Sequence, residues 1–403
     1  MKYSVSEVIQ YVREEDVKFI RLAFCDIYGN QKNMAIMPYE LERAFHFGMP
    51  VDASAITGFD ADNASDLFLH PDPSTLTQLP WRPESGRVVR MFCNVTHADG
   101  TPYCADCRHL LEEAVSKAAD YGIKFRFGTS MEFYLFKTNE DGTPTAVPHD
   151  NAGYMDIAPA DKGENVRREI QLTMERMGIQ PESSHHEEGP GQNEIDFISA
   201  EPLSCADNAV TFISVVKTIA ARNGLFADFS PKPVIGLPGS GLHISIEVTS
   251  EDNEDLLDNV IAGIMDKISD MTVFLDPVAN SYERLGRNKA PRFISWSKGD
   301  RSHLFRIPPA PDGARTAELR SPDPTANPYI ALALLIYAGL HGIKEQLKLS
   351  DACDIDLYLA NEDIINKFSK LPSNIEKARK LAFESSFINE ILPESLILHY
   401  CEC

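Results

Sequence analysis

Three stretches of the chain, residues 106–121, 164–177 and 206–223, carry apolar side chains at three-to-four spacing, the period that lines one face of an α-helix. Each runs into a glycine (Gly122, Gly178 and Gly224), the residue that most readily takes the left-handed turn ending a helix. Strand-like runs lie between and after them at 125–136, 194–198, 242–248 and 304–307, of which 242–248 is the clearest. Nearer the start, residues 17–37 set mixed apolar and polar runs on both sides of a Tyr28-Gly29-Asn30 turn, which predicts a β-hairpin. Proline punctuation from Pro71 to Pro83, a short strand at 87–94 and the turn Ala98-Asp99-Gly100 predict a boundary near residue 100. The expectation is a small sheet domain, 1–100, and a larger domain, 101–403, that mixes strands and helices in an α+β architecture. No internal repeat or low-complexity tract interrupts it.

The longest apolar run, residues 329–340, is about half of what a membrane-spanning helix requires and reads as a buried helix. The N-terminal residues lack the apolar core and cleavage site of a signal peptide, so a cytoplasmic protein without a membrane partner is expected. At 403 residues, 43% hydrophobic and 24% charged, the chain has the composition of a globular protein with a sizeable core. A formal charge of -22 argues against a nucleic-acid surface, which needs clustered Lys and Arg. Cys104 and Cys107 form one Cys-x-x-Cys, and Cys401 and Cys403 a close pair. No second Cys-x-x-Cys completes a zinc ribbon, so they read as reduced thiols.

Candidate chemistry follows from charge on apolar strands. Glu132, Glu187, Glu194, His243 and Glu318 fall on or beside successive strand-like segments, where a buried carboxylate must be paired or bind a cation. Several converging carboxylates with one or two imidazoles suit Mg2+ or Mn2+, which also bind nucleotide phosphates. Arg284, Arg301, Arg306 and Arg320 interleave with the acids, and guanidinium forks suit carboxylates and phosphates. Taken singly, the histidines fit core positions and the arginines fit salt bridges equally well.

In order and over nearly the whole chain, these residues resemble the glutamine synthetase family, closest to its bacterial type I branch. The blocks are Val51-Asp52-Ala53-Ser54, Pro71-Asp72-Pro73-Ser74-Thr75, Ser184-His185-His186-Glu187 with Gly191-Gln192-Asn193-Glu194, and Gly239-Ser240-Gly241-Leu242-His243. Asn280-Ser281-Tyr282, Arg301-Ser302, Arg306-Ile307-Pro308 and Glu318-Leu319-Arg320-Ser321-Pro322 follow. The resemblance implies a small N-terminal β-grasp-like domain and a catalytic domain with an antiparallel sheet and helices. It also implies an ATP-dependent carboxylate-amine ligase working through an acyl phosphate on glutamate or a related acid. Carried over by position, Glu132, Glu187 and Glu194 hold a first metal, and His243 and Glu318 a second. Gly239, Arg284, Arg306 and Arg320 bind the acid, Arg301 stabilises the transferring phosphoryl group, and Glu182, with Arg315, falls near the nucleotide. By the same resemblance Asp52 of a neighbouring subunit binds the incoming ammonium, which implies a homo-oligomeric ring, with a dodecamer among the candidates.

The departures from the family pattern cluster in the pocket. Ser130 stands where the family's Gly-x-Glu-x-Glu has its first glutamate, which removes a carboxylate from the second metal. Lys289 stands where a glutamate takes a proton from ammonium, and a protonated lysine cannot replace that base. Pro238, Ser245 and Thr316 replace an asparagine, a histidine and an arginine, and Arg315 offers a one-residue shift for the last. Two functions are therefore carried forward. One is a ligase whose acceptor is an amine or ammonium; the other is a catalytically impaired paralogue with a binding or regulatory role.

Overall fold

A computed structural model describes residues 3–59, 66–82, 85–310 and 315–402, so Pro83 and Cys403 lie outside the described residues. Helix α1 (Val5–Glu14) opens the chain behind a capping box, in which Ser4 and Glu7 satisfy each other's backbone N–H groups. The expected hairpin follows as β1 (Val17–Cys25) and β2 (Gln31–Ile36), paired antiparallel. Asp26 sets its turn by accepting from the backbone N–H groups of Tyr28 and Asn30 at 3.0 and 2.9 Å. After α2 (Leu41–Phe47), strands β3 (Met49–Asp52), β4 (Asp66–Pro71), β5 (Thr77–Gln78) and β6 (Arg87–Thr96) complete a six-stranded sheet. Its order is β2-β1-β6-β4-β3, with β5 also on β6, and the β1–β6 pair is parallel.

Helix α3 (Cys107–Asp120) leads into the second, nine-stranded sheet. Its strands are β7 (Ile123–Thr138), β8 (Pro144–Pro148), β9 (Pro181–His186), β10 (Gln192–Phe197), β11 (Leu225–Asp228), β12 (Leu242–Ser250), β13 (Trp296–Ser297), β14 (Phe305–Arg306) and β15 (Ala317–Leu319). The order is β13-β14-β15-β12-β7-β10-β9, with β8 and β11 on the far end of β7. All pairs are antiparallel except the two-residue β13–β14 pair. Helices α4 (Glu164–Arg176), α5 (Pro202–Arg222), α6 (Leu257–Leu275), α7 (Ser281–Arg284) and α8 (Pro328–Lys344) follow, then short helices out to Cys401. The three sequence-predicted helices are α3, α4 and α5, with α5 beginning four residues earlier, at Pro202. Their glycine stops all take positive φ.

Strand alternation decides where the site lies. On β7, Phe125, Phe127, Met131, Phe133 and Leu135 are buried and α3 and α5 pack against this strand. On β12, Leu242, Ile244 and Ile246 are buried in the same way. Gly128, Ser130, Glu132, His243 and Ser245 occupy the intervening positions and line a cavity. The run 329–340 is α8, in which Ile330 to Ile336 are at most 1% exposed, packed on α3, α5 and α6. Helix α5 is long and apolar enough by composition to span a bilayer, but its apolar side chains are part of the same core.

The two sheets are joined by buried polar contacts. Arg108 on α3 reaches Asp72 beyond β4 at 2.7 Å, Asn94 on β6 at 2.6 Å and Asp207 on α5 at 3.3 Å, and Tyr329 donates to Asp207 at 2.6 Å. The Ile27 carbonyl in the hairpin turn accepts from Asn327 and Tyr400, both at 2.9 Å. All seven cysteines among the described residues are free, including exposed Cys104 and buried Cys107.

Candidate active site

Strand register brings the polar face together as a lattice. Glu194 on β10 is opposite Glu132 on β7 and His185 on β9. One row over, Ser130 lies between His243 on β12 and Asp196 on β10. Glu318 on β15 pairs with Ser245 on β12, and Arg306 on β14 with Glu318. These side chains line a cavity of about 540 Å³, closed on its other sides by Glu182, Tyr154, Pro238, Gly239 and the loop carrying Lys289.

Two groups of three ligand-capable side chains lie with their donor atoms within 4.8 Å of one another: Glu132 with Glu194 and His243, and His185 with Glu187 and Glu194. The grouping differs from the sequence expectation. Glu194 is common to both groups, His185 joins the second, and Glu318 belongs to neither. Glu318 is instead bracketed by Arg306 at 3.0 Å and by Arg320, with His243 at 3.8 Å. Its carboxyl is held below the ordinary range; burial opposes this, and Arg320, His243 and Arg306 outweigh it.

Electrostatics bear on whether a cation fits. Burial, then the negative charges of Glu194 and Glu187, push the Glu132 carboxyl well above its ordinary range. Burial works the same way on Glu194, but hydrogen bonds from His185 and His243 hold it charged, well below that range. Its hydrogen bonds to Glu187 and then Glu194 raise the His185 imidazole to about 10. Like charges held on one rigid face, with oxygen and imidazole donors, are what a hard divalent cation relieves, so these residues fit Mg2+ or Mn2+.

The remaining parts set this face rigidly. Gly241 donates its backbone N–H to Glu132 at 2.7 Å, and a Cβ there would come within 2.6 Å of Arg284 Nη2 and 2.8 Å of His243 Nε2. Gln192 bridges Glu132 at 3.4 Å and the Gly239 carbonyl at 3.0 Å. His186 donates from Nδ1 to the Glu187 carbonyl at 2.7 Å and pairs through Nε2 with the Asp150 carboxyl at 3.0 Å, and Asp150 also accepts from Gly191 N–H at 2.8 Å, which fixes the loop carrying Glu187. Asp150, His186 and Asp161 form a third close group. Asp161 is already paired with Arg167 at 2.5 Å, so this group is a structural brace.

Each expected site residue has a definite place. Glu182, Gly239, Lys289, Arg301 and Thr316 line the cavity with the lattice residues. Arg284 lines it too, but is buried and donates to the Ser321 and Arg320 carbonyls at 2.6 and 3.0 Å. Arg315 departs from expectation: it points away, to Asp255 and Asp258 on the rim of α6, and does not line the cavity, so the one-residue shift from Thr316 fails. Asp52 is also outside this chain's own cavity, at the end of β3, where it accepts from Ser54 N–H at 3.0 Å. Lys289 sits in a turn with φ of 65° and reaches across the mouth to form an ion pair with Glu188, its Nζ 5.8 Å from the Tyr154 ring centre. Tyr154 stands edge-on to His185.

Four contributors escaped the sequence reading. Asp196 was signalled, being two residues from Glu194 on a strand and hence on the same face; Ser130 donates to it at 2.6 Å. Gln192 and His185 lay inside motif blocks without a cavity role. Tyr154 sits in a loop, where no periodicity marks it.

Residues 104–403 match the family model for the glutamine synthetase catalytic domain, and residues 16–98 that for the glutamine synthetase beta-Grasp domain. The chain is 39% identical over 414 residues to the glutamine synthetase of Clostridium saccharobutylicum, covering 99% of this chain and 94% of that one. It is 39% identical over 409 residues to that of Methanosarcina mazei, covering 98% and 92%. Among solved structures, GmaS in complex with ADP superposes with a TM-score of 0.88 at 27% identity, covering 98% of this chain and 94% of the other, and apo GmaS gives the same figures.

Proposed function

Because the chain belongs to the glutamine synthetase family, we propose that it is an ATP-dependent ligase joining a glutamate-like acid to an amine other than free ammonium. The observation that carries this reading is the lattice of Glu132, Glu194, His185, His243 and Glu318 on one face of a sheet, with Arg301, Arg306 and Arg320 beside it. Glu132, Glu187 and Glu194 with His185 would hold one Mg2+ or Mn2+, and His243 would hold a second, joined by Glu318 once Arg306 and Arg320 release it. A bound cation there supplies charge neutralisation at the nucleotide phosphates. The likeness to GmaS in complex with ADP supports nucleotide binding by this chain. Arg301, exposed in the cavity, is free to meet a phosphoryl group, while Arg306 and Arg320 exchange Glu318 for the substrate carboxylate. Glu182 lies on the rim for nucleotide contact. Asp52, outside its own chain's cavity, serves a neighbouring chain's site in a ring.

Lys289 determines the acceptor. Its ammonium group already occupies the corner made by Glu188 and the Tyr154 ring, so a small free cation meets a tethered competitor there. A larger amine that carries apolar surface gains from the Tyr154 face what ammonium cannot. The test is ADP release with glutamate and related acids, Mg2+ or Mn2+, and a graded series of amines. Turnover that rises with amine size supports the reading, and absence of ADP release with every pair refutes it.

The Ser130 and Lys289 replacements favour one other reading, a ring that binds nucleotide or amino acid without turning over. Ser130→Glu combined with Lys289→Glu separates the two: gain of ammonium-dependent ADP release shows an intact ligase site, and binding with no gain favours the non-catalytic protein.

A further inference from the structure

A second polar cleft, of about 230 Å³, lies remote from the lattice, between the small sheet and helix α5. Its walls carry Arg21 of β1, Arg90 of β6 and Arg82 of the preceding loop, facing the hydroxyls of Thr211, Ser214 and Thr218 on α5. Among the described residues no aspartate or glutamate lines it. In a chain of net charge -22, three guanidinium groups around one acid-free cleft create a local field opposite to that of the molecule.

Arg90 is the decisive group. It is 6% exposed, its Nη1 donates to Thr211 Oγ1 at 2.6 Å, and its Nε is buried with no hydrogen-bond partner. Its guanidinium carbon stands 4.1 Å from the centre of the Phe92 ring, and no carboxylate among the described residues lies within ion-pair distance of it. The acid on the neighbouring turn of α5, Asp207, is committed to Arg108 and the Tyr329 hydroxyl. Burial pulls the Arg90 side chain down to about 10, and the charge of Asp207, too far away to form an ion pair, offsets this only in part. A buried arginine is ordinarily paired with an acid, and an unpaired one is costly. Among the described residues, the hydrogen-bond partner of the Arg21 side chain is the neutral Asn33, at 3.3 Å. Gln31, whose Oε1 atom is also buried without a hydrogen-bond partner, lines the same cleft and carries a neutral acceptor.

We propose that this cleft is a binding site for a phosphate group, with Arg90 as its buried anchor and Arg21 and Arg82 as its exposed clamp. A phosphate offers the acceptor oxygens that three guanidinium groups require and, when protonated, a donor for Gln31. The group reaches the cleft either as free inorganic phosphate or as the end of a small phosphomonoester. Because the cleft joins β1 and β6 to α5, occupancy ties the small sheet to the helix packed beneath β7.

The site is separate from the ligase cavity, so its test does not depend on the reading of that cavity. Inorganic phosphate and glycerol 3-phosphate are titrated calorimetrically into the full-length protein and into the Arg21→Gln/Arg82→Gln variant. Both substitutions are at solvent-reachable positions outside the ligase cavity, so the fold and that cavity are expected to stay intact. The wild type is expected to bind one more phosphate group per chain than the variant, or to bind that group at least about tenfold more tightly, as loss of charge-assisted hydrogen bonds requires. Arg90→Met is expected to abolish the same event; if that variant fails to fold, the exposed pair decides alone. Displacement of phosphate by glycerol 3-phosphate identifies an ester as ligand, and exclusion of the ester identifies free phosphate. Equal stoichiometry and affinity in the wild type and the double variant, for both probes, overturns the proposal.

Discussion

Glu132→Gln isolates the charge of the lattice from its shape. The amide can still accept from Gly241 N–H, now 2.7 Å from the carboxylate, but one of the two carboxylates in the group Glu132, Glu194 and His243 is lost. Removing a group that merely orients a metal ligand typically weakens binding about 10–100-fold, so loss of a charged ligand should cost at least about 100-fold. With metal at about 100 times the wild-type dissociation constant, binding adds about 2.7 kcal/mol to folding stability; after a 100-fold weakening the same concentration adds about 0.4 kcal/mol. The assay is thermal or urea unfolding of both proteins with and without Mn2+ at that fixed concentration. Wild-type protein should show a clear metal-dependent shift and the variant almost none. In metal-free buffer the variant should be at least as stable as the wild type, since a neutral side chain relieves repulsion from Glu194 and Glu187. An equal metal-dependent shift in both proteins would refute Glu132 as a ligand.

Further outcomes follow from particular contacts. Arg108→Ala strands buried Asp207 and partly buried Asp72, and should destabilise the chain by about 3–5 kcal/mol in urea unfolding. Burial opposes it, but Arg108 and Ser74 hold the Asp72 carboxyl below its ordinary range. Its contribution is therefore present above that range and lost as pH falls through the folded-state value, so the gap between wild type and Arg108→Ala should narrow on acidification. Gly241→Ala should abolish ADP release while the fold survives, because its Cβ would crowd His243 and Arg284; activity within twofold of wild type would contradict the packing drawn there. Ser130→Glu, facing His243 and Asp196, should raise Mn2+ affinity about tenfold or more by equilibrium dialysis. Leu334→Ala in fully buried α8 should cost about 2–5 kcal/mol of stability without changing metal affinity.

Much of this architecture is legible in the chain because local chemistry and tertiary packing agree. The helices α3 to α5 show it, each with an apolar stripe and a glycine at the turn that ends it. So do β7 and β12, whose alternation separates core from cavity. Helix α1 was not read from the sequence: although Ser4 and Glu7 form a capping box, only Val8 and Val12 are buried, so its apolar signal is short. In the cavity, residue identity was readable but partnership was not. Glu318 looks like a metal ligand by type and position, whereas its two arginine partners come from β14 and its own strand. Arg315 and Thr316 are neighbours in sequence, yet adjacent positions near a strand point in opposite directions, so a one-residue shift cannot substitute one for the other. The phosphate cleft left no linear trace, because Arg21, Arg82, Arg90 and Thr211 come from four separate segments.

The alternation of β7, β10 and β12 has a consequence for how such a protein diversifies. Residues that hold the fold together and residues that choose its reaction share the same strands but face opposite sides, so a change at 130, 196 or 245 leaves the helix-packed layer untouched. Reactivity can therefore drift one strand position at a time against a constant foldable frame, and new specificities should be reachable through single substitutions that keep the protein intact at every step.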